Sequence, residues 1–500
     1  MKLAQLLSLF PRSLSGENFG ERAQDEVLDI TQDSRQSGPG KVFVAIRGHA
    51  ADGHQFLAQI SADNKVLALI VEDDKDISPN FNGAVVKVPS TRQALDQLAM
   101  RFFGNPADQL FCVGVTGTNG KTTITYMIEK ILNRFGMPTG VIGTIDHHLL
   151  DHKWGSQLTT PDPLTLHRRL REFVALGARA AAFEVSSHAL DQARVESLPF
   201  AVGVFTNFTR DHLDYHQSME KYFAAKERLF NELLGKSKNG GFAVLNGDDP
   251  WIGKTRVRGG VTTWWYGQRA PVDFSFRILK QNLEGSLFHL GTPRGTAEIQ
   301  LPCTGEHNIY NAVAAIAASM AAGCSLDTAA QALSTFYGAP GRLEKVANER
   351  GVHIFVDYAH TDDAVRTVLR ALAQLKGSSA AKIITVFGCG GDRDKGKRPL
   401  MCKAACEFSD QLVITSDNPR SEDPLRIIAD IKTGIPRDWR GSVEVESDRK
   451  KALSLALQSA REGDVILVAG KGHENYQIVG DQKFDFSDVK VLAELLAGMT

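Results

Sequence analysis

Apolar positions along this chain alternate between strand-length runs and helically spaced stripes, and the sharpest change of period falls between residues 110 and 135. Phe111, Val113 and Val115 lie in a short apolar run. From Thr122 onward the apolar positions are Ile124, Met127, Ile128, Ile131, Leu132 and Phe135, which is helical spacing. Gly117-Thr118-Asn119-Gly120-Lys121 forms the turn between them. Strand, glycine-containing turn and helix start leave unpaired backbone N–H groups and a positive helix end facing one point, an anion cradle. Lys121 adds a full charge there, Thr122 is placed to hold a magnesium ion, and Thr123 follows. The general phosphate-loop pattern asks for glycine at position 115, where this chain has valine. A phosphorylated ligand is expected.

Around this stretch the pattern predicts an α/β protein in three parts. Residues 41–47, 66–72 and 84–88 read as strands with helices between them. Gly104-Asn105-Pro106 is a turn signal and a boundary, and Phe336-Tyr337-Gly338-Ala339-Pro340-Gly341 is a second. The expected domains are 1–107, 108–339 and 340–500. In the last, strands beginning near His353, Lys382, Gln411 and Asp464 alternate with helices, which implies a parallel sheet. Each ends in a polar cluster: Asp357-Tyr358-Ala359-His360, Gly390-Gly391-Asp392-Arg393, Asp417-Asn418-Pro419-Arg420 and Gly470-Lys471-Gly472-His473-Glu474. Open α/β sheets bind ligands beyond those strand ends.

Composition removes several classes. Five hundred residues exceed a single core. A net charge of −1 supplies no global field toward nucleic acid or a membrane surface. No apolar run reaches the roughly 18 residues a membrane span needs, and Leu3, Leu6, Leu7 and Phe10 have amphipathic spacing unlike a signal peptide. The six cysteines form no paired zinc spacing, so buried thiols in a reducing cytoplasm are expected.

Three further features carry candidate chemistry. Glu184 ends the apolar run 180–185, where an unpaired carboxylate is costly and a cation site is the natural partner. The run 201–207 leads into Thr209-Arg210-Asp211-His212-Leu213-Asp214-Tyr215-His216, whose acidic neighbours favour a hard cation over zinc. Lys226 lies on the same helical stripe as Tyr222, Phe223, Leu229, Phe230 and Leu233. Two readings stand: a lysine that snorkels to solvent, or one whose lowered pKa leaves a free amine able to form a carbamate with carbon dioxide.

Taken together, these motifs resemble the Mur ligases, ATP-dependent enzymes that add amino acids to the peptidoglycan precursor. The resemblance spans essentially the whole chain. It is carried by Gly117-Thr118-Asn119-Gly120-Lys121-Thr122-Thr123, by Glu184-Val185-Ser186-Ser187-His188, and by Asn207 with Asp211-His212-Leu213-Asp214. Asp357-Tyr358-Ala359-His360 and Gly472-His473-Glu474 complete it. The family form of the phosphate loop accounts for Val115. Two departures stand out: Thr361-Asp362 where the family usually has Thr-Pro, and His307 where phenylalanine is commoner.

The resemblance implies an N-terminal α/β domain for a uridine nucleotide, a central P-loop ATPase-like parallel sheet and a C-terminal Rossmann-like domain for the amino acid. ATP would be met by the phosphate loop with Asn308, Arg342 and Asp357. Ser34, His49, Ala50 and Ala51 would contact UDP, while Thr159, Thr160, Ser186, Gln192 and Arg194 would hold the muramoyl-dipeptide end of UDP-N-acetylmuramoyl-L-alanyl-D-glutamate. Lys226 falls on the family's carbamylated lysine. Magnesium would be held by Thr122, Glu184, His212 and that carbamate, with Lys121, Glu184, His212 and Lys226 forming the catalytic set. Arg420 suits a terminal side-chain carboxylate, so the expected amino acid is meso-2,6-diaminopimelate, with Arg393, Asp417, Asn418, Pro419, Gly470 and Glu474 completing its pocket. A cytoplasmic monomer without nucleic-acid partners or membrane insertion is expected. The rivals are a lysine-adding sister ligase, a folylpolyglutamate synthase-like ligase, a P-loop kinase and a non-catalytic nucleotide-binding module.

Overall fold

The structure is a computed structural model that describes residues 1–11, 14–15, 19–48, 51–237, 240–269, 271–377 and 380–499. Its contacts define two compact units. One comprises Met1–Lys121, Phe135–Trp265 and Ala321–Gly323, the other Thr122–Arg134, Tyr266–Met320 and Cys324–Thr500.

The first unit holds a five-stranded sheet and the parallel part of an eleven-stranded one. In the N-terminal one, Ala84–Lys87, Ala68–Val71, Lys41–Val44 and Asp29–Thr31 lie side by side, all parallel. Their buried residues pack with Leu3, Leu6, Leu7, Leu95 and Leu98 into one core. The second sheet places Phe111–Thr116 between Phe200–Phe205 and Ala180–Glu184, with Phe242–Asn246 and Thr139–Ile142 outside them, all parallel. Central parallel strands are covered on both faces and read as continuous apolar runs; every residue of Ala180–Glu184 and Phe200–Phe205 is buried. The strand Thr139–Ile142 ends just before Gly143. A Cβ on Gly143 would meet Glu184 Oε1 at 2.3 Å, so the chain there serves the carboxylate instead of the ladder.

Helix Met219–Arg228 is capped by Ser218, whose side chain accepts the N–H of Lys221, and runs into a π-helical turn, Leu229–Leu233. Tyr222, Phe223, Leu229, Phe230 and Leu233 all enter the core, and Lys226 enters with them at 1% exposure.

The second unit contains a six-stranded sheet in the order Glu344–Val346, His353–Asp357, Val465–Ala469, Ile383–Phe387, Gln411–Ile414 and Ser442–Val445. All neighbours are parallel except the first pair. This topology brings the four polar clusters to the carboxyl ends of adjacent strands. The helix Lys121–Arg134, from Thr122 on, and the alanine-rich helix Glu306–Ala321 belong to this unit up to Met320. The six cysteines are buried and free. No helix among the described residues is long and apolar enough to cross a membrane.

Candidate active site

The phosphate loop is fixed by hydrogen bonds from the neighbouring strand end. Asn207 Oδ1 accepts the N–H of Asn119 at 2.9 Å while its Nδ2 donates to Asn119 O at 3.1 Å, and Thr206 Oγ1 donates to the same carbonyl at 2.5 Å. Gly117 has φ 141° and Gly120 φ 88°. A Cβ on Gly117 would sit 1.9 Å from Thr206 Oγ1, so only glycine lets the loop lie against that strand. Lys121 Nζ folds back onto the carbonyls of Gly117 at 3.0 Å and Thr118 at 2.8 Å. Thr122 and Thr123 are buried at the start of the helix.

Lys226 Nζ donates to the same Gly117 carbonyl at 2.8 Å and lies 4.8 Å from the centre of the Tyr222 ring. Among the described residues no carboxylate lies within ion-pair distance of it. Burial first, and the charge of Lys121 second, hold its pKa well below the ordinary lysine value, with Asp211 opposing weakly. The snorkelling alternative is therefore excluded by position. His212, at φ 51°, stacks edge-on against His188 with ring centres 5.0 Å apart. His188 is kept neutral down to a pH of about 4, by burial above all and then by the neighbouring histidines and Arg194.

Glu184, 1% exposed, holds a second cluster together. Its Oε1 accepts Thr144 N–H at 2.8 Å and its Oε2 accepts Thr144 Oγ1–H at 3.1 Å. Thr144 Oγ1 also reaches Thr159 Oγ1 at 3.1 Å. Thr160 Oγ1 donates to Glu184 O at 2.6 Å and accepts Ser186 N–H at 3.0 Å. Arg194 then donates through Nη1 to Thr160 O at 2.8 Å and through Nη2 to Gln192 Oε1 at 2.6 Å. The five residues expected at the acceptor end, Thr159, Thr160, Ser186, Gln192 and Arg194, thus share one network with Glu184. Among the described residues Arg194 has no carboxylate within ion-pair distance, and its guanidinium remains available to an anion.

In the N-terminal sheet, Ser34 opens the 3-10 turn Ser34–Gln36 just past Asp29–Thr31, and Ala51 follows the adjacent strand Lys41–Val44. Both fall on the carboxyl edge. His49 and Ala50 lie outside the described residues.

In the second unit, Asn308 Nδ2 donates to Thr304 O at 2.8 Å from within its helix. Asp357 accepts the N–H groups of Leu343 at 2.7 Å and Ala359 at 2.8 Å, and burial raises its pKa against the pull of Arg342. Arg342 stacks 5.2 Å from the Tyr358 ring centre, its buried Nε without a hydrogen-bond partner among the described residues. Lys471, fully buried, is 3.1 Å from Asn418 Oδ1, 3.2 Å from Glu474 Oε2 and 3.4 Å from Asp417 Oδ1. Asn418 Nδ2 donates to Glu474 Oε2 at 2.9 Å. A Cβ on Gly470 would approach Asp417 Oδ2 to 2.9 Å. Arg420 Nη1 donates to Gly391 O at 2.8 Å, and Gly391 packs under Pro419, whose carbonyl oxygen would stand 1.9 Å from an added Cβ. Arg393 is exposed. Among the described residues Arg420 forms no ion pair.

Thr144, Thr206 and Lys471 were given no role by the sequence, though Lys471 stands between two glycines after a strand, which is a usable signal. No group of three or more His, Cys, Asp or Glu side chains among the described residues makes a ready metal site. The buried Glu184 carboxylate at a strand end and the buried Thr122 hydroxyl at a helix start nevertheless supply oxygen donors of the kind a hard cation takes.

A strand-anchored phosphate loop in the first unit and charged clusters at the strand ends of a parallel sheet in the second are features of a nucleotide-binding α/β enzyme. Family models match along the chain: Mur ligase family, catalytic domain over residues 27–103; Mur ligase middle domain over 115–319; and Mur ligase, glutamate ligase domain over 341–472. The UDP-N-acetylmuramoyl-L-alanyl-D-glutamate--2,6-diaminopimelate ligase of Geobacter metallireducens is 42% identical over 485 residues, covering 94% of each chain. The enzyme of that name from Solibacter usitatus is 41% identical over 500 residues, covering 100% of this chain and 99% of its own. A solved structure of a ligase of the same name superposes with a TM-score of 0.74 at 30% identity, covering 100% of this chain and 99% of its own. The chain belongs to the Mur ligase family and is an ATP-dependent ligase.

Proposed function

We propose that this enzyme joins meso-2,6-diaminopimelate to the D-glutamate γ-carboxylate of UDP-N-acetylmuramoyl-L-alanyl-D-glutamate, with ATP cleaved to ADP and phosphate. The observation that carries the choice of amino acid is Arg420, a guanidinium without an ion-pair partner among the described residues, beside Asn418 and Glu474. Diaminopimelate differs from lysine by a carboxylate at the far end of its side chain, and the guanidinium fork matches that group. The near-full-length relatives support the same reading. Segments 1–107, 108–339 and 340–500 would serve the uridine nucleotide, ATP and the amino acid in turn.

A carboxylate is a poor electrophile, so the reaction passes through an acyl phosphate. The γ-carboxylate attacks the γ-phosphorus of ATP and ADP leaves; the amine then attacks the acyl carbon, and phosphate is expelled as the amide forms. The first step brings two anions together, and the cationic and N–H groups offset their repulsion. Gly117, Thr118, Asn119, Gly120, Thr122 and Thr123 cradle the phosphates. Lys121 exchanges the Gly117 and Thr118 carbonyls for β- and γ-phosphate oxygens. Asn308, Arg342 and Asp357 meet the nucleotide. Arg194, supported by Gln192, Thr159, Thr160 and Ser186, orients the acceptor, and Ser34, His49, Ala50 and Ala51 hold its UDP. Thr122, Glu184, His212 and a carbamate on Lys226 would hold magnesium, which when bound neutralises phosphate charge. The lowered pKa of Lys226 supports carbamylation, because only the neutral amine adds to carbon dioxide. Arg393, Arg420, Asp417, Asn418, Pro419 and Gly470 shape the amino-acid pocket, and Glu474, already offset by Lys471, takes an ammonium.

Phosphate release in the presence of UDP-N-acetylmuramoyl-L-alanyl-D-glutamate, with diaminopimelate or lysine supplied in turn, tests the reading. Release dependent on diaminopimelate and weak with lysine is expected. A preference for lysine, or release indifferent to the amine, overturns it.

A further inference from the structure

Two loops carry the cationic side of the amino-acid pocket. One follows Ile383–Phe387 and bears Arg393; the other follows Gln411–Ile414 and bears Arg420. Beneath them Arg398, in the first turn of helix Lys397–Cys406, has no solvent exposure. A buried guanidinium is strongly unfavourable unless carboxylates pair with its charge. Its Nη2 donates to Glu422 Oε1 at 2.8 Å and its Nη1 to Glu422 Oε2 at 3.1 Å and to Asp430 Oδ2 at 2.8 Å. Glu422 Oε1 also accepts the N–H of Asp392 at 2.7 Å. Asp392 Oδ1 accepts the Ser421 hydroxyl at 2.7 Å, and its Oδ2 accepts the Ser421 N–H at 3.2 Å. These bonds close a ring that ties one loop to the other just past Gly391 and Arg420.

Arg420 itself is held against its own preference. Its φ of 52° is left-handed, a region that a side chain with a Cβ adopts at a cost. Such a conformation persists where the surroundings over-determine it. Here the backbone is gripped from one side by Arg420 N–H to Ile478 O at 3.1 Å and Gly480 N–H to Arg420 O at 2.8 Å. The Asp392–Ser421 bonds grip it from the other.

We propose that Asp392 and Glu422, anchored on Arg398, are positioning residues that aim the Arg420 guanidinium at the side-chain carboxylate of the incoming diamino acid and thereby set its preference over lysine. The inference rests on the pocket reading given above. A bidentate fork discriminates only when its plane is held to within about 10–20°. Lysine lacks the terminal carboxylate, so loosening the fork lowers the use of diaminopimelate without lowering the use of lysine.

The test is steady-state kinetics on the full chain with Asp392→Asn, Glu422→Gln, Ser421→Ala and Ser421→Thr, alongside Arg420→Ala. Asp392→Asn, Glu422→Gln and Ser421→Ala are expected to raise the KM for diaminopimelate by about tenfold, with kcat and the KM for ATP within about twofold. The preference over lysine falls by the same factor. Ser421→Thr keeps the hydroxyl donor and retains the wild-type KM. Asp392 is exposed, so its variant keeps the fold, which its melting temperature verifies. If Arg420→Ala raises the KM while Asp392→Asn and Glu422→Gln do not, the clamp is refuted. A parallel rise in the KM for ATP makes the role merely structural and also refutes it. An Arg420→Ala variant with unchanged KM overturns the pocket reading itself, and the clamp with it.

Discussion

Lys226 and Gly117, more than a hundred positions apart in sequence, meet through a 2.8 Å hydrogen bond from the lysine amine to the phosphate-loop carbonyl. An amine 1% exposed and, among the described residues, without an acid partner is costly to keep charged. Its folded pKa lies well below 10.5, so between those two values the unfolded chain binds a proton that the folded chain does not. For this group stability therefore rises with pH across that window. Lys226→Met should melt higher than the parent at pH 7 without bicarbonate, and the gap should narrow as the pH approaches the ordinary lysine pKa. Ligase activity should be lost at every pH. Thermal melts at several pH values decide it: a Met variant that melts lower, or a gap that widens with pH, contradicts the assignment.

Asn207 spans the phosphate loop through both its amide atoms, to Asn119 N and Asn119 O. Asn207→Ala removes two hydrogen bonds at a partly exposed site, a loss of about 1–2 kcal/mol of loop ordering. The KM for ATP should rise about tenfold, while the KM for diaminopimelate stays within experimental error. Initial rates against ATP concentration measure this. An unchanged KM for ATP would show that the loop is held without Asn207.

The phosphate loop was legible because three signals coincide within one short stretch: an apolar run, a glycine-bracketed turn and a change to helical spacing. Lys226 was legible for a related reason, as a charge standing on an apolar stripe. The clusters at the ends of the C-terminal strands could be found because a parallel sheet forces its loops to one edge. What escaped the sequence is the set of side chains that hold these groups. Thr144 reaches Glu184 across 40 positions, and Asp392 reaches Ser421 across 29. Such partners look like ordinary polar loop residues until the strands are placed side by side. Arg398 was missed because nothing in its local pattern distinguishes a buried arginine from a solvated one on a helix.

A polar knot of buried Asp96 and His167 with partly buried Ser197 joins the helices Thr91–Phe102 and Pro163–Ala175 within the first unit. Asp96 Oδ2 accepts the N–H of Ser197 at 2.6 Å, and His167 Nε2 lies 3.3 Å from Asp96 Oδ1 and 3.0 Å from Ser197 Oγ. Asp96→Leu would strand the Ser197 N–H without a partner, a cost of about 2–4 kcal/mol. Denaturant unfolding should show the loss, with Asp96→Asn retaining part of the stability because its amide oxygen still accepts. Equal stability of the Leu variant and the parent would mean that the knot contributes nothing.

Arg194 and Arg420 are both guanidiniums without an ion-pair partner among the described residues, and the proposed reaction gives each a different anion. Arg194 is braced by Gln192 Oε1 and Thr160 O, and in the proposed reaction its remaining donors would bind the acceptor. Arg420 is braced by Gly391 O, and in the same proposal it would bind the side-chain carboxylate of the amino acid. Each loses a charge-assisted bond on truncation, about 2–3 kcal/mol or roughly a hundredfold in affinity. Arg194→Ala should therefore raise the KM for the UDP-muramoyl-dipeptide while leaving that for diaminopimelate unchanged, and Arg420→Ala should do the reverse. In this proposal each variant acts on a different substrate, so the double variant should show both losses, each of the size seen in its single variant. Four KM values for each substrate, from the parent, the two single variants and the double, complete the cycle. If both single variants impair the same substrate, the division of labour between acceptor and amine sites is wrong.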